Sequence, residues 1–79
     1  MNSEDQARAE ERDRATGAAT QMVRSRYDDE EAWVRLLVTE GVGRDMVYHF
    51  DAFGPTLIEQ PRVTVSRSGA DRWDAVIAE

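Results

Sequence analysis

The hydrophobic positions in the first third of the chain recur with the period of a helix. Spacings of three and four residues bring them to one helix face, and they comprise Ala15, Ala18, Ala19, Met22, Val23 and Tyr27. Ser3 and Gln6 have the spacing of a capping box, so the helix is predicted to begin near residue 3. Residues 1–14 contain acid–arginine pairs but no apolar stripe, so we expect a frayed or extended helical start.

Residues 32–39 allow two interpretations. As a strand they place Ala32, Val34, Leu36 and Val38 on one face and Trp33, Arg35, Leu37 and Thr39 on the other. As a helix they follow a cap formed by Asp28 and Glu31. Residues 41–43 then mark a glycine turn, and residues 45–51 alternate in the manner of a second strand. The pattern therefore favours a hairpin over a second helix.

The last third of the chain contains a clearer hairpin. Residues 62–67 alternate, turn residues follow at 68–71, and residues 72–78 alternate again. Residues 52–61, which end in Pro61, are predicted to form a loop or an irregular edge. We predict an α+β fold, with one N-terminal helix packed on a four-stranded antiparallel β-sheet, a meander of two hairpins. Residues 1–79 form a single domain in this prediction.

Composition limits the classes of function. The chain has 79 residues, no Cys, a net charge of −6 and a pI near 4.7, and all ten basic residues are Arg. The lack of Cys excludes disulfides and thiolate metal sites, and we expect no cofactor. The acidic balance disfavours direct binding of nucleic acid, because phosphates must be neutralised by cations. No segment approaches the roughly 20 apolar residues that span a bilayer, so we expect a cytoplasmic protein without a membrane partner.

Candidate chemical groups are few. His49 has Tyr48 and Asp51 close by in the sequence, but strand alternation sends Tyr48 to the opposite face, so His49 is expected on the outer surface of a strand. The carboxylates of residues 28–31 lack the alternate spacing and central Gly of a calcium loop. We therefore predict no catalytic residue and no metal ligand.

The two tryptophans are candidates for stacking platforms or for core residues. In so small a domain the core is the more frequent place for the largest side chains, so both are predicted to be core residues. Trp73 is the safer assignment, because Ala75 and Ile77 share its face. Trp33 shares its face with Arg35 and Thr39.

The sequence has more apolar strand residues than one helix can cover. Leu37, Val47 and Val76 alternate opposite to their large neighbours, and a monomer tends to avoid a large exposed apolar patch. A second copy of the chain would cover them with isologous symmetry. Alternatively, the loop residues Leu57 and Ile58 of the same chain could cover them. We expect a homodimer.

The leading functional hypothesis is a small acidic protein-interaction module, such as a regulator, an inhibitor or an accessory subunit. Its predicted contact residues are Leu37, Val47, Val76, Asp28, Asp29, Glu30 and Glu31. They would dock on a basic protein surface, such as that of a nucleic-acid-binding protein. Small acidic proteins of phage and mobile elements share this general composition, which is an analogy of composition only.

Two alternatives remain open. One is a ligand-binding or catalytic α+β domain that uses His49 and Tyr48 in a pocket between helix and sheet. The other is a winged-helix-like DNA-binding regulator, which requires residues 28–40 to form a second helix.

Overall fold

The structure is a computed structural model that describes residues 3–42, 45–69 and 72–78, with side chains from Gln6 onward. Its elements are α1 (Ser3–Tyr27), β1 (Trp33–Glu40), β2 (Val47–Phe53), β3 (Arg62–Arg67) and β4 (Trp73–Ala78). The strands form one antiparallel sheet in the order β1-β2-β3-β4. The predicted α+β fold, one helix on a four-stranded meander, is confirmed. Residues 33–40 are a strand, so the second helix required by the winged-helix alternative is absent.

The helix packs through a stripe of small residues. Ala15, Ala19 and Val23 are fully buried and lie four residues apart, which places them above one another on one helix face. They meet the inner face of the sheet, where Phe50, Val63 and Val65 are also fully buried. Alanine side chains let the helix backbone approach the sheet closely. This narrow contact leaves most of the helix surface to charged residues.

The helix ends in a left-handed turn. Asp28 has a φ of 51°, and the Asp29 amide donates to the Arg24 carbonyl at 3.1 Å, which is the 6→1 bond of a Schellman motif. The Arg24 Nε atom also donates to the Ala32 carbonyl at 2.8 Å. The helix exit is therefore tied to the start of β1.

A β-bulge interrupts β1. Leu36 pairs with Phe50 and Val38 pairs with His49, so Leu37 is an extra residue without a partner in β2. An extra residue reverses the alternation beyond it. Val38 was predicted to share the face of Leu36, and this is wrong: it turns away from the helix and is 49% exposed.

The loop after β2 packs on the helix side of the sheet. Leu57 is buried in the core, whereas Ile58 is 97% exposed. The Ala52 amide donates to the Pro61 carbonyl at 3.0 Å and thereby closes the loop. The loop does not cover Leu37 or Val76, which remain exposed, so the intramolecular cover considered above is not formed.

Candidate protein-interaction surface

The sheet face opposite α1, here called the outer face, is left uncovered by the rest of the described chain. Cross-strand pairing arranges it in rows. These are Trp33 with Phe53, then Arg35, Asp51, Arg62 and Ala78, then Val38, His49, Thr64 and Val76, and finally Glu40, Val47, Ser66 and Asp74. Apolar and polar positions are therefore interleaved across the outer face.

The predicted contact residues Leu37, Val47 and Val76 do not form one patch. Leu37 is 38% exposed at the bulge of β1, whereas Val76 is 64% exposed on β4, at the opposite edge of the sheet. The polar His49 and Thr64 lie in the row between these two edges. Leu37 and Val76 thus lie on separate parts of the surface, and Val47 is a half-buried residue of β2, between Glu40 and Ser66.

A stacked aromatic pair, of which Trp33 is exposed and Phe53 half-buried, lies at one end of the outer face. Trp33 and Phe53, here called the aromatic pair, stack with ring centroids 4.4 Å apart and an interplanar angle of 22°. The Arg35 guanidinium lies 5.3 Å from the Phe53 centroid and 3.7 Å from the Asp51 carboxylate. Trp33 is 52% exposed, so its assignment to the core is wrong. It points outward because the residues before and after it in the chain, Ala32 and Val34, pack into the core.

Trp73 occupies the inner face, as predicted. Its ring meets Tyr48 edge-on at 6.0 Å between centroids, and the Arg67 guanidinium lies over it at 4.8 Å. Arg67 also forms an ion pair with Glu11 of the helix at 2.8 Å. Trp73 is half-buried, packed against the core.

Residues 28–31, here called the acidic turn, connect α1 to the strand that carries Trp33. Asp28, Glu30 and Glu31 are exposed, but Asp29 is buried. The Asp29 carboxylate accepts hydrogen bonds from the Thr56 amide at 3.2 Å, the Thr56 hydroxyl at 2.9 Å and the Glu31 amide at 2.9 Å. Burial acts to raise the pKa of Asp29, but the hydrogen bonds outweigh it and hold the pKa below the ordinary value of 3.8. Asp29 is therefore a structural residue, and the other three carboxylates face solvent.

His49 lies on the outer face, as alternation predicts, although its side chain is only 19% exposed. Its Nδ1 atom lies 3.5 Å from the Thr64 hydroxyl, and Nε2 lies 3.4 Å from the Glu40 carboxylate. Nε2 is buried and has no hydrogen-bond partner within the part of the chain that the structure describes. Tyr48 lies beneath the helix, 3% exposed, so the sheet separates these two residues and they share no site.

A cleft of 440 Å³ lies between the first half of α1 and the sheet. Its lining residues are Arg8, Ala9, Arg12, Leu36, Thr39, Met46 and Tyr48. Burial raises the pKa of the Tyr48 hydroxyl, the nearby Glu11 carboxylate adds to the increase, and Arg67 and Arg12 oppose it. The phenol is therefore protonated at neutral pH and can donate a hydrogen bond. The predicted pocket between helix and sheet thus contains Tyr48 but not His49, and its arginines from the start of α1 were not anticipated because residues 1–14 lack an apolar stripe.

Comparisons of the chain with protein-family models, with curated proteins and with solved structures find no match. Among the described residues, no helix is long and apolar enough to cross a membrane. Nor do those residues contain a group of three or more acidic or His side chains arranged to hold a metal ion.

Proposed function

We propose that the protein is an interaction module that docks on a basic surface of a partner protein through the aromatic pair and the acidic turn. The observation that carries this proposal is the 52% exposure of Trp33 while its ring is stacked on Phe53. A large aromatic side chain that is fixed before binding loses little conformational entropy on docking. Tryptophan is also among the residues that dominate binding energy at protein interfaces.

The charge distribution supports a basic partner. Helix α1 carries as many arginines as carboxylates, so the net charge of −6 arises in the rest of the chain. Three exposed carboxylates of the acidic turn, Asp28, Glu30 and Glu31, directly precede the strand that begins at Trp33. An arginine of a partner protein can stack on an aromatic face and pair with carboxylates at the same time. A phosphate backbone would instead be repelled by this end of the molecule.

The ligand-binding alternative keeps its position between helix and sheet and keeps Tyr48, but His49 takes no part in it. The lining of the cleft beside α1 includes the basic residues Arg8 and Arg12, the phenol of Tyr48, and the apolar side chains of Leu36 and Met46. That lining fits a small anion with an apolar body. Titration with benzoate, followed by NMR amide shifts in wild type and in Arg12→Gln, would test this second candidate. Shifts confined to the cleft and lost in the variant would support it.

The main proposal is tested by affinity capture from a lysate of the source organism, followed by binding of the purified partner. Trp33→Ala should weaken that binding at least tenfold, since removal of an interface tryptophan typically costs about 2 kcal/mol or more. Ile58→Ala is the matched control, because Ile58 is also an exposed apolar residue but belongs to the loop after β2.

Glu30→Arg with Glu31→Arg should also weaken binding, and binding to the wild type should fall as salt concentration rises. The proposal fails if the Trp33→Ala protein, folded normally by circular dichroism, binds the partner as tightly as the Ile58→Ala control does.

A further inference from the structure

The sheet has two edge strands, and only one of them is protected. β1 carries the bulge at Leu37 and the exposed charged side chains of Arg35 and Glu40, which are common defences against pairing with another strand. β4 pairs with β3 in unbroken register from Trp73 to Ala78. It contains no Pro and no basic residue, and Asp74 is its one charged residue. In the part of the chain that the structure describes, β4 pairs with β3 alone, so its other side can accept a further strand.

The helix side of the β4 edge carries a groove without a charged residue in its lining. This groove of 280 Å³ is lined by Ala18, Gln21, Met22, Ser25, Trp73 and Ala75. Met22 is 37% exposed there, and Val76 is 64% exposed on the outer face of the same strand. One residue in three of this chain is charged, so an uncharged groove beside an edge strand is an unusual part of its surface. Two copies of a molecule with a net charge of −6 repel each other least where they meet through such a groove.

We propose that a second copy of the chain pairs with the β4 edge. The two β4 strands run antiparallel across a twofold axis and join the two sheets into one. An axis perpendicular to the sheet keeps both helices on the same face, where the uncharged grooves of the two copies meet. This arrangement is isologous, so each copy supplies the same surface to the other.

The charge pattern of β4 excludes one register, and the exposure of Val76 favours another. Pairing centred on Asp74 would set two like charges opposite each other, which destabilises a strand pair. Pairing centred on Val76 sets that residue opposite its own counterpart, Ala75 opposite Ile77, and Asp74 opposite Ala78. It also buries the exposed Val76 side chain. The aromatic pair lies toward β1, at the other edge, so this interface does not depend on the proposed function and leaves that surface free.

Light scattering coupled to gel filtration tests the assembly. The wild type should give about twice the chain mass of 9.0 kDa. Val76→Lys should reduce the mass to that of a monomer, because it sets two like charges at the centre of the interface. Ile58→Lys, at an exposed loop residue, is the control and should remain a dimer.

Cysteine cross-linking tests the register, because the natural chain contains no Cys. Val76→Cys should form a disulfide-linked dimer on mild oxidation, since directly opposed Cβ atoms lie near disulfide distance. Ala78→Cys should not, because in this register Ala78 lies far from its own counterpart. A monomeric wild type at 100 µM, roughly the concentration range of weak dimers, would overturn the proposal. So would a dimer that Leu37→Glu separates and Val76→Lys leaves intact, since that dimer would form through the outer face.

Discussion

The buried carboxylate of Asp29 accepts hydrogen bonds from both the backbone amide and the hydroxyl of Thr56. Asp29 lies at the helix exit and Thr56 in the loop after β2, so this pair fixes the loop against the end of α1. Leu57, the next residue in the loop, is thereby held in the core. The contact joins the two irregular segments at this end of the fold.

Stability should therefore depend on the charge of Asp29 at acid pH. The pKa of Asp29 is lower in the folded protein than its ordinary value of 3.8, so its stabilising effect is complete above that value. The effect is lost as the pH falls further, through the folded-state pKa. Asp29→Asn should lower the melting temperature at pH 7, and its deficit relative to wild type should shrink at pH 3. Glu30→Gln, at the adjacent exposed carboxylate, should stay within about 0.5 kcal/mol of wild type at pH 7.

Substitution of glycine by alanine should have opposite effects on stability at two positions. Gly17 lies inside α1, and a Cβ atom there would meet nothing within 4 Å, so Gly17→Ala should stabilise the fold by about 0.5–1 kcal/mol. At Gly54 the added Cβ would lie 2.6 Å from the Asp29 carboxylate and 3.2 Å from the Ala32 Cα. Gly54→Ala should therefore cost about 1–3 kcal/mol, the range typical of overpacking. Urea denaturation measures both, and a Gly54→Ala protein of wild-type stability would show that this region can move apart.

Substitution of the two tryptophans should distinguish a residue that stabilises the fold, Trp73, from one that is proposed to bind a partner, Trp33. Trp73→Ala should cost about 2–4 kcal/mol, somewhat below the range for a fully buried tryptophan, because the side chain is half-buried. Trp33→Ala should cost less than about 1.5 kcal/mol, the upper range for an aromatic pair. Thermal melts of the two variants check this order. Equal losses would mean that the aromatic pair contributes to the core and is not a surface platform.

Removal of residues 1–14 should leave the fold intact and lower the melting temperature by less than about 8 °C, equivalent to 1–2 kcal/mol in so small a domain. Among the interactions lost is the ion pair of Glu11 with Arg67, whose side chains are 34% and 19% exposed. Partly exposed pairs of this kind contribute about 1 kcal/mol or less. Glu11→Gln in the full chain should reproduce much of the effect. Circular dichroism melts of the two proteins provide the measurement.

Much of the fold could be predicted from sequence because its signals are local. The apolar stripe of α1 extends over a few helical turns. The alternation in the β3–β4 hairpin extends over two adjacent strands. Both patterns can therefore be recognised from residues that are close in sequence. The choice of strand over helix for residues 32–39 followed from the glycine turn and the second alternating run. These patterns specify which elements form and which faces of most strands meet the helix.

The errors concern features that local patterns do not encode. Leu37 suits either face of β1, so nothing in the sequence marks it as the extra residue of a bulge, and the orientation of Val38 was wrong as a result. Asp29 is one of four consecutive carboxylates, and its burial depends on Thr56, which lies 27 residues away. Trp33 was assigned to the core on size alone, although its place beside Arg35 already indicated the outer face.

The bulge in β1 also makes this strand unusually tolerant of losing a residue. Deletion of a strand residue normally turns every later side chain to the wrong face. Here the deletion of Leu37 would leave the side chains of Val38 and Thr39 on their present faces of the sheet, because Leu37 is the extra, unpaired residue. The shortened strand would form a smooth, regular edge without its bulge. A molecule with two regular edges can add neighbours at both of them, so the bulge in β1 acts as a barrier to open-ended assembly into fibres.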